Sequence, residues 1–194
     1  MVLNPSFESD VLGPGGIDVT PTDWDTSPGG GDGVFSPLSF QYPNGAVPDG
    51  VNVAYANESG NRVRQMLAEV LEPHTTYTLT VDIGRRLDES YVGYIIQLRA
   101  NGDVLAEDNS SQSPAPGQFV TASASFTTDS SPAQLGEPLD IWLLSLGTQV
   151  NFDNVRLEKT STVVNVADVP ALHPLAMLSL VSLLLLVALR HLRR

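Results

Sequence analysis

Two short segments near opposite ends of the chain hold the residues best suited to chemistry. Asn4-Pro5-Ser6-Phe7-Glu8 lies near the start, and Asn151-Phe152-Asp153-Asn154-Val155 lies late in the sequence. In an extended strand, successive side chains alternate between faces. Val150 and Phe152 therefore share one face, while Val155 and Leu157 share a face in the opposite phase. A β-bulge at Asp153–Asn154 reconciles the two pairs if both face a core, and a bulge re-aims a side chain. Calcium takes about six to eight oxygens from carboxylates, amides and carbonyls. Glu8 and Asp153 are accordingly candidate ligands of a structural Ca²⁺ joining the two ends. The residues alone leave a second reading equally open, in which both acids are solvated and the phase break marks only the end of a strand.

Other chemistry is thinly represented. Of the three histidines, His173 and His191 lie in the apolar tail and His74 sits in a Glu-Pro-His-Thr turn. No nucleophile elbow accompanies His74, and no metalloprotease helix, phosphate-binding loop or zinc spacing occurs. Gly29 to Gly33 lacks the strand and helix that would make a phosphate cradle. Aromatic platforms for a sugar are available in Trp24, Tyr42, Tyr91, Tyr94 and Trp142. Trp142 falls in an apolar strand and reads as core, and Trp24 reads as a plug between loop and sandwich. Tyr91 and Tyr94 have opposite strand parity, so at most one of them faces a ligand cleft.

These residues sit in an acidic chain. The whole carries a net charge of −12, and residues 1–168 hold all 22 acids against seven bases. Such a surface repels nucleic acid, whose binding rests on neutralising phosphates. Cysteine is absent, so no disulfide or thiolate chemistry is available.

The elements that must position the candidates read as β throughout. Residues 9–50 are rich in Gly, Pro, Asp and Ser, which predicts long loops with short strands. Val51, Val53 and Tyr55 alternate with smaller or polar neighbours. Tyr77, Leu79, Val81 and Ile83 alternate with Thr and Asp, the pattern of a half-buried strand. Tyr91–Ala100 is β-branched and aromatic, and Asn101-Gly102 predicts a tight hairpin into Val104–Ala106. Val120 to Phe126 alternates cleanly, Leu139–Leu146 reads as a central strand, and Gln149–Glu158 closes the domain. Asn61–Val70 fits a strand between its strand neighbours. About eight strands with frequent turns predict an all-β, two-sheet antiparallel jelly-roll sandwich over residues 1–159. A polar linker, 160–168, leads to a segment over 169–194.

That segment is uncharged from Val169 to Leu189 and ends in Arg190, Arg193 and Arg194. Its length just meets the requirement of a spanning helix, and the arginines would stay inside, with residues 1–168 outside. The expected partners are a membrane, through this single hydrophobic C-terminal helix, and possession of a cleavable tail would add a processing enzyme. Export needs a leader, and MVLNPSFESD has none, so the expected true start lies upstream. The short proline motif, apolar run and terminal arginines resemble bacterial C-terminal sorting signals of the PEP-CTERM and IPTL-CTERM kind. In those, a membrane enzyme is thought to process the tail.

The order NPSFE, a loop tryptophan and a late FDNVRL resembles the galactose-binding-like jelly rolls of bacterial carbohydrate-binding modules, where a structural calcium commonly sits between first and last strands. GVFSP (Gly33–Pro37), VPDGVNVAY (Val47–Tyr55), YTLTVDIG (Tyr77–Gly84), GYIIQLRANGDVLA (Gly93–Ala106) and VNFDNVRL (Val150–Leu157) resemble the hapalindole-type (Stig) cyclase family. That likeness implies the same fold, bound calcium and rearrangement of indole isonitriles. It also implies a tyrosine and a protonated acid in one apolar pocket, and by motif position these are Tyr55 and Asp153. The expectation from the sequence is a secreted, surface-tethered calcium-binding β-sandwich that binds glycan or extracellular matrix, with Trp24, Tyr55 and Tyr91 as ligand contacts. The alternatives are a small-molecule cyclase or lyase and a structural envelope protein.

Overall fold

A computed structural model describes residues 1–29, 31–43 and 47–161. Among these described residues eleven strands form in chain order: β1 (Ile17–Asp18), β2 (Asp25–Thr26), β3 (Asp32–Phe35), β4 (Val53–Asn57), β5 (Arg62–Val70), β6 (Thr75–Arg85), β7 (Tyr94–Ala100), β8 (Asp103–Asn109), β9 (Gln118–Thr127), β10 (Pro138–Ser145) and β11 (Gln149–Ser161). They make two sheets, β1-β3-β4-β11-β6-β9 and β2-β5-β10-β7-β8. Every pairing is antiparallel. This is the expected jelly-roll sandwich, with its first three strands short, as the Gly- and Pro-rich stretch before residue 50 predicts.

The alternation seen in the sequence becomes the core. Leu79, Val81 and Ile83 of β6, Ala54 and Ala56 of β4, and Val150 and Phe152 of β11 point inward from the six-stranded sheet. Val63 and Leu67, Ile96 and Leu98, and Ile141 and Leu143 meet them from the five-stranded sheet. Truncating one large member such as Phe152, fully buried, to alanine costs about 3–5 kcal/mol through lost transfer energy and a cavity. Asn101 and Gly102 both take positive φ, 49° and 84°. That is the tight hairpin turn whose twist matches its strands, and it joins β7 to β8 with Ala100 opposite Asp103.

The phase break in β11 is a bulge. Pairing with β6 shifts register between Asp153 and Arg156, Asn154 adopts a φ of 52°, and Phe152 and Val155 are both buried. The freed Val155 N–H donates to Pro5 O at 2.9 Å, so the two ends of the sequence meet here. Trp142 departs from its sequence reading. It lies on the outer face of the five-stranded sheet, because Ile141 and Leu143, its neighbours in β10, take the inward positions. No helix long and apolar enough to cross a membrane occurs among the described residues. The linker beyond Ser161 and the expected hydrophobic helix over 169–194 lie outside the described residues.

Candidate functional site

Strand β11 has two faces, and the candidate chemistry lies on the outer one. With Val150 and Phe152 turned into the core, Gln149, Asn151 and Asp153 turn outward. Tyr55 of β4 and Gly84 of β6 stand directly opposite Asn151. Phe35, Val53 and Tyr55 form a small second apolar cluster on this face, with Phe119 packed against it. Phe35 and Tyr55 meet edge to face, their ring centres 5.8 Å apart, a favoured aromatic geometry.

One end of this face is an open cavity of about 750 Å³. Its apolar walls are Ile17, Phe35 and Leu38, its aromatic hydroxyl is Tyr55, and its polar walls include Gln41, Asn57, Arg86 and Gln149. Glu58 and Glu89 supply carboxylates. Burial, helped by the charges of Asp32 and Asp18, raises the Tyr55 phenol above its ordinary value, so it stays protonated at neutral pH. Arg86 is fixed by its neighbours. It grips Asp88 at 2.5 and 2.8 Å and donates to Gln149 Oε1 at 2.6 Å. Its guanidinium lies 5.7 Å from the Phe35 ring.

The middle of the face is filled. Tyr42 and Phe119 pack against each other, 4.7 Å between ring centres. Both settle on Gly84, where a Cβ would come within 2.6 Å of the Tyr42 oxygen and 2.5 Å of the Phe119 ring. The Tyr42 hydroxyl donates to Asn151 Oδ1 at 2.7 Å, and Asn151 Nδ2 donates to Ala54 O. Burial pushes the Tyr42 phenol strongly upward.

The far end holds acids. Asp153 is fully buried and accepts from the amides of Asp49 (3.0 Å) and Asn154 (2.7 Å). Burial outweighs these bonds, and the nearby Asp49 and Asp82 add to it, so its carboxyl is pushed up to about 8. Glu8 Oε1 accepts from the amides of Val51 and Asn52 at 2.9 and 2.7 Å. Gly50 permits this approach, since a Cβ there would meet the Glu8 carboxyl at 2.2 Å and its φ is +71°. Ser6 Oγ donates to Asp49 Oδ2. Glu8 and Asp153 thus grip the same 49–52 segment. Among the described residues no group of three or more His, Cys, Asp or Glu side chains is placed to hold a metal ion. The acceptor atoms gathered here are the carboxylate oxygens of Glu8, Asp49 and Asp153.

Tyr55 and Asp153 do not line one cavity. Cavity-lining Gln149 and Asp153 are four residue steps apart on β11, roughly 13 Å of strand, and the Tyr42–Asn151 pair stands between. Trp24 is 5% exposed, stacks on Phe7 at 5.1 Å and donates its indole N–H to Asn4 O. Tyr91 is half-buried with Arg85 over its ring at 5.7 Å, away from the cavity. Tyr94 is core. The sequence reading missed Arg86, Gln149, Asn151 and Phe35. Counting back by twos from Asp153 along β11 would have found Asn151 and Gln149; Arg86, one residue past the end of β6, carried no such signal.

Among solved structures, the apo form of a cyclase from Fischerella sp. is 32% identical with a TM-score of 0.75, over 84% of this chain and 96% of that one. The Stig cyclase Fisc from Fischerella sp. TAU, in complex with (3Z)-3-(1-methyl-2-pyrrolidinylidene)-3H-indole, is 30% identical with a TM-score of 0.74, over 84% and 97%. The CBM22-1 xylan-binding domain of Paenibacillus barcinonensis Xyn10C shares the fold alone, at 13% identity and a TM-score of 0.52 over 79% and 100%. Comparison with curated protein sequences gives no match. The model of the HpiC1-like family, described as HpiC1 cyclase, matches residues 1–158, and the chain belongs to that family.

Proposed function

We propose that the Tyr55 cavity binds a small indole-type molecule and that the chain acts on it as a cyclase. The observation that carries this reading is the cavity itself. It is large enough for a two-ring ligand, apolar and aromatic on one side, and hydrogen-bonding on the other. Two structures similar over their whole length hold molecules of this class: the 3H-indole already named, and 4-(1H-indol-3-yl)butan-2-one in a Fischerella sp. TAU cyclase 32% identical to this chain. Tyr55 is the proton-bearing group at the reacting centre, and Arg86 and Gln149 orient the ligand's polar end. In the reaction, the phenol proton passes to an alkene carbon and the indole ring closes on the resulting cation. The proton lost from the ring returns to the phenolate, so substrate and product are isomers. A glycan role is less well supported. Trp24 is buried, and the ring of Trp142 is covered by arginines.

The test is titration with 4-(1H-indol-3-yl)butan-2-one, followed by incubation with an alkene-bearing indole isonitrile. Binding that is lost in Phe35→Ala, and a product of unchanged mass formed more slowly by Tyr55→Phe, support the reading. No binding of the ketone, together with binding to xylan or galactan, defeats it.

Calcium is the expected cofactor at the other end of the same face. Glu8 and Asp153 would hold it, with Asp49 beside them. The support is geometric: Glu8, Asp49 and Asp153 bring carboxylate oxygens to the same 49–52 segment at the junction of the two chain ends. Bound there, the ion would neutralise these acids and pin the 49–52 segment to both ends of the domain.

A further inference from the structure

The outer face of the five-stranded sheet takes no part in either end described above. Its strand order sets Arg62 and Arg64 of β5, Trp142 and Asp140 of β10, and Gln97 and Arg99 of β7 side by side. The guanidiniums of Arg62 and Arg99 come from the strands flanking Trp142, and each lies 4.2 Å from its ring centre. That of Arg64 lies at 5.9 Å. Three arginines thus meet on one indole, among the acids Asp25, Asp140 and Glu107.

Two of the three are committed. Arg64 donates twice to Asp25 at 3.2 Å and lies 3.9 Å from Asp140. Arg99 donates to Gln97 Oε1 and Gly102 O. Arg62 differs. Its guanidinium has no hydrogen-bond acceptor or acidic partner among the described residues; its buried Nε–H is unpaired, as is that of Arg99. Arg62 and Arg64 also line a second cavity, about 620 Å³, walled by Pro21, Pro28, Trp24 and Thr20.

We propose that this cavity is an oxyanion site, in which Arg62 receives the carboxylate or sulfate group of a small molecule. A guanidinium presents a planar fork of N–H donors that matches such a group with two charge-assisted bonds. Trp142 backs that fork and holds its plane. Arginines cover the indole, so it offers no face on which a neutral sugar could stack; what the surface offers is positive charge and N–H donors. Thr20 cannot replace them, because its hydroxyl proton already goes to Asp18. Asp25 at the cavity wall is paired with Arg64, which leaves the positive charge of Arg62 for the ligand. The prolines suit the less polar body of an organic acid.

The full chain is titrated with glucuronate, glucose and inorganic sulfate while the Arg62 Nε–H signal and tryptophan emission are followed. The expected result is that an oxyanion shifts both signals and glucose shifts neither. Arg62→Gln weakens binding by about tenfold or more, and Arg156→Gln, on the other sheet, leaves it unchanged. Glucuronate alone binding assigns the site to organic acids, and sulfate binding equally well assigns it to the oxyanion by itself. Glucose binding as well as glucuronate, or neither anion moving the wild-type Arg62 signal, overturns the proposal. The wild-type titration decides the matter even if Arg62→Gln folds poorly.

Discussion

The two ends of one strand face have been put to opposite uses. At the Tyr55 end, β11 and β4 present neutral and aromatic groups to an open cavity, with Glu58 and Glu89 on its wall and its cation, Arg86, tied to Asp88 and Gln149. At the Asp153 end, carboxylates are turned onto backbone amides and closed off from solvent. Both ends are built by the same alternation and by the same strand, β11. The difference lies in what covers them. The 49–52 segment lies down on the acids, held by Glu8, whereas Tyr55 and Phe35, though largely buried beneath Val47 and Phe119, keep an edge on the open cavity. A buried carboxylate held by backbone amides ties chain segments together. An open aromatic wall is a place for a ligand. The fold therefore separates integrity from binding by about four residues of strand.

The largest effect that would break this comparison is the pH dependence of stability. The Asp153 carboxyl is pushed from its ordinary 3.8 to about 8 in the fold. A raised folded value means that the protonated acid is the form the fold favours. Its contribution is fully present below about pH 4 and is lost as the pH rises through 8. The upper bound is on the order of 5 kcal/mol. In excess EGTA, wild type should melt at lower temperature at pH 8 than at pH 5, and Asp153→Asn should flatten that slope. A wild-type slope of the opposite sign would mean that Asp153 is ionised and otherwise compensated.

Calcium should reverse the sign. A cation beside Asp153 draws the carboxyl back to its ionised form, so the loss at high pH disappears. At a concentration 100 times its Kd, the ion stabilises by about 2.7 kcal/mol, a shift of several degrees in Tm for a domain of this size. Glu8→Ala and Asp153→Ala should each abolish that shift. If both keep the full calcium response, the ion binds elsewhere.

Much of this was legible in the order of the residues. The β11 bulge was one of two readings open to Val150 and Phe152 running out of phase with Val155 and Leu157, the other being the end of the strand, and the register shift decides for the bulge. The Asn101-Gly102 turn followed from its need for two positive φ values. The failures were of pairing rather than of periodicity. Placing Tyr55 opposite Asn151 requires the register of β4 on β11, which no single strand contains. Trp142 misled because LDIWLL reads as continuously apolar, yet its own parity opposite Ile141 and Leu143 sends it outward to the arginines. The Tyr42 plug depends on Gly84, a residue that looks like a strand defect until the ring above it is seen.

Tyr42 sharpens the comparison at the next lower magnitude. Replacing it with phenylalanine leaves the buried Asn151 oxygen without its donor, at a cost of about 1–3 kcal/mol. If the two ends are independent, Tyr42→Phe should lower Tm while leaving the calcium shift and the affinity for an indole ligand each within about twofold of wild type. A loss of both together would show that the plug couples them.

The smallest expected effect on stability tests the cavity end alone. The hydroxyl of Tyr55 faces the cavity and makes no hydrogen bond among the described residues, while its ring packs on Phe35. Tyr55→Phe keeps the ring, so Tm should change by no more than a degree or two and the calcium response should not change. Removing the phenol proton should slow isomerisation of an indole isonitrile by about 10²-fold or more, within the range typical of a lost general acid, while ketone binding weakens far less. That split between turnover and binding separates a proton donor from a packing residue. Phe35→Ala, by contrast, should lose binding and stability together, because it removes the wall against which both the ligand and Tyr55 rest.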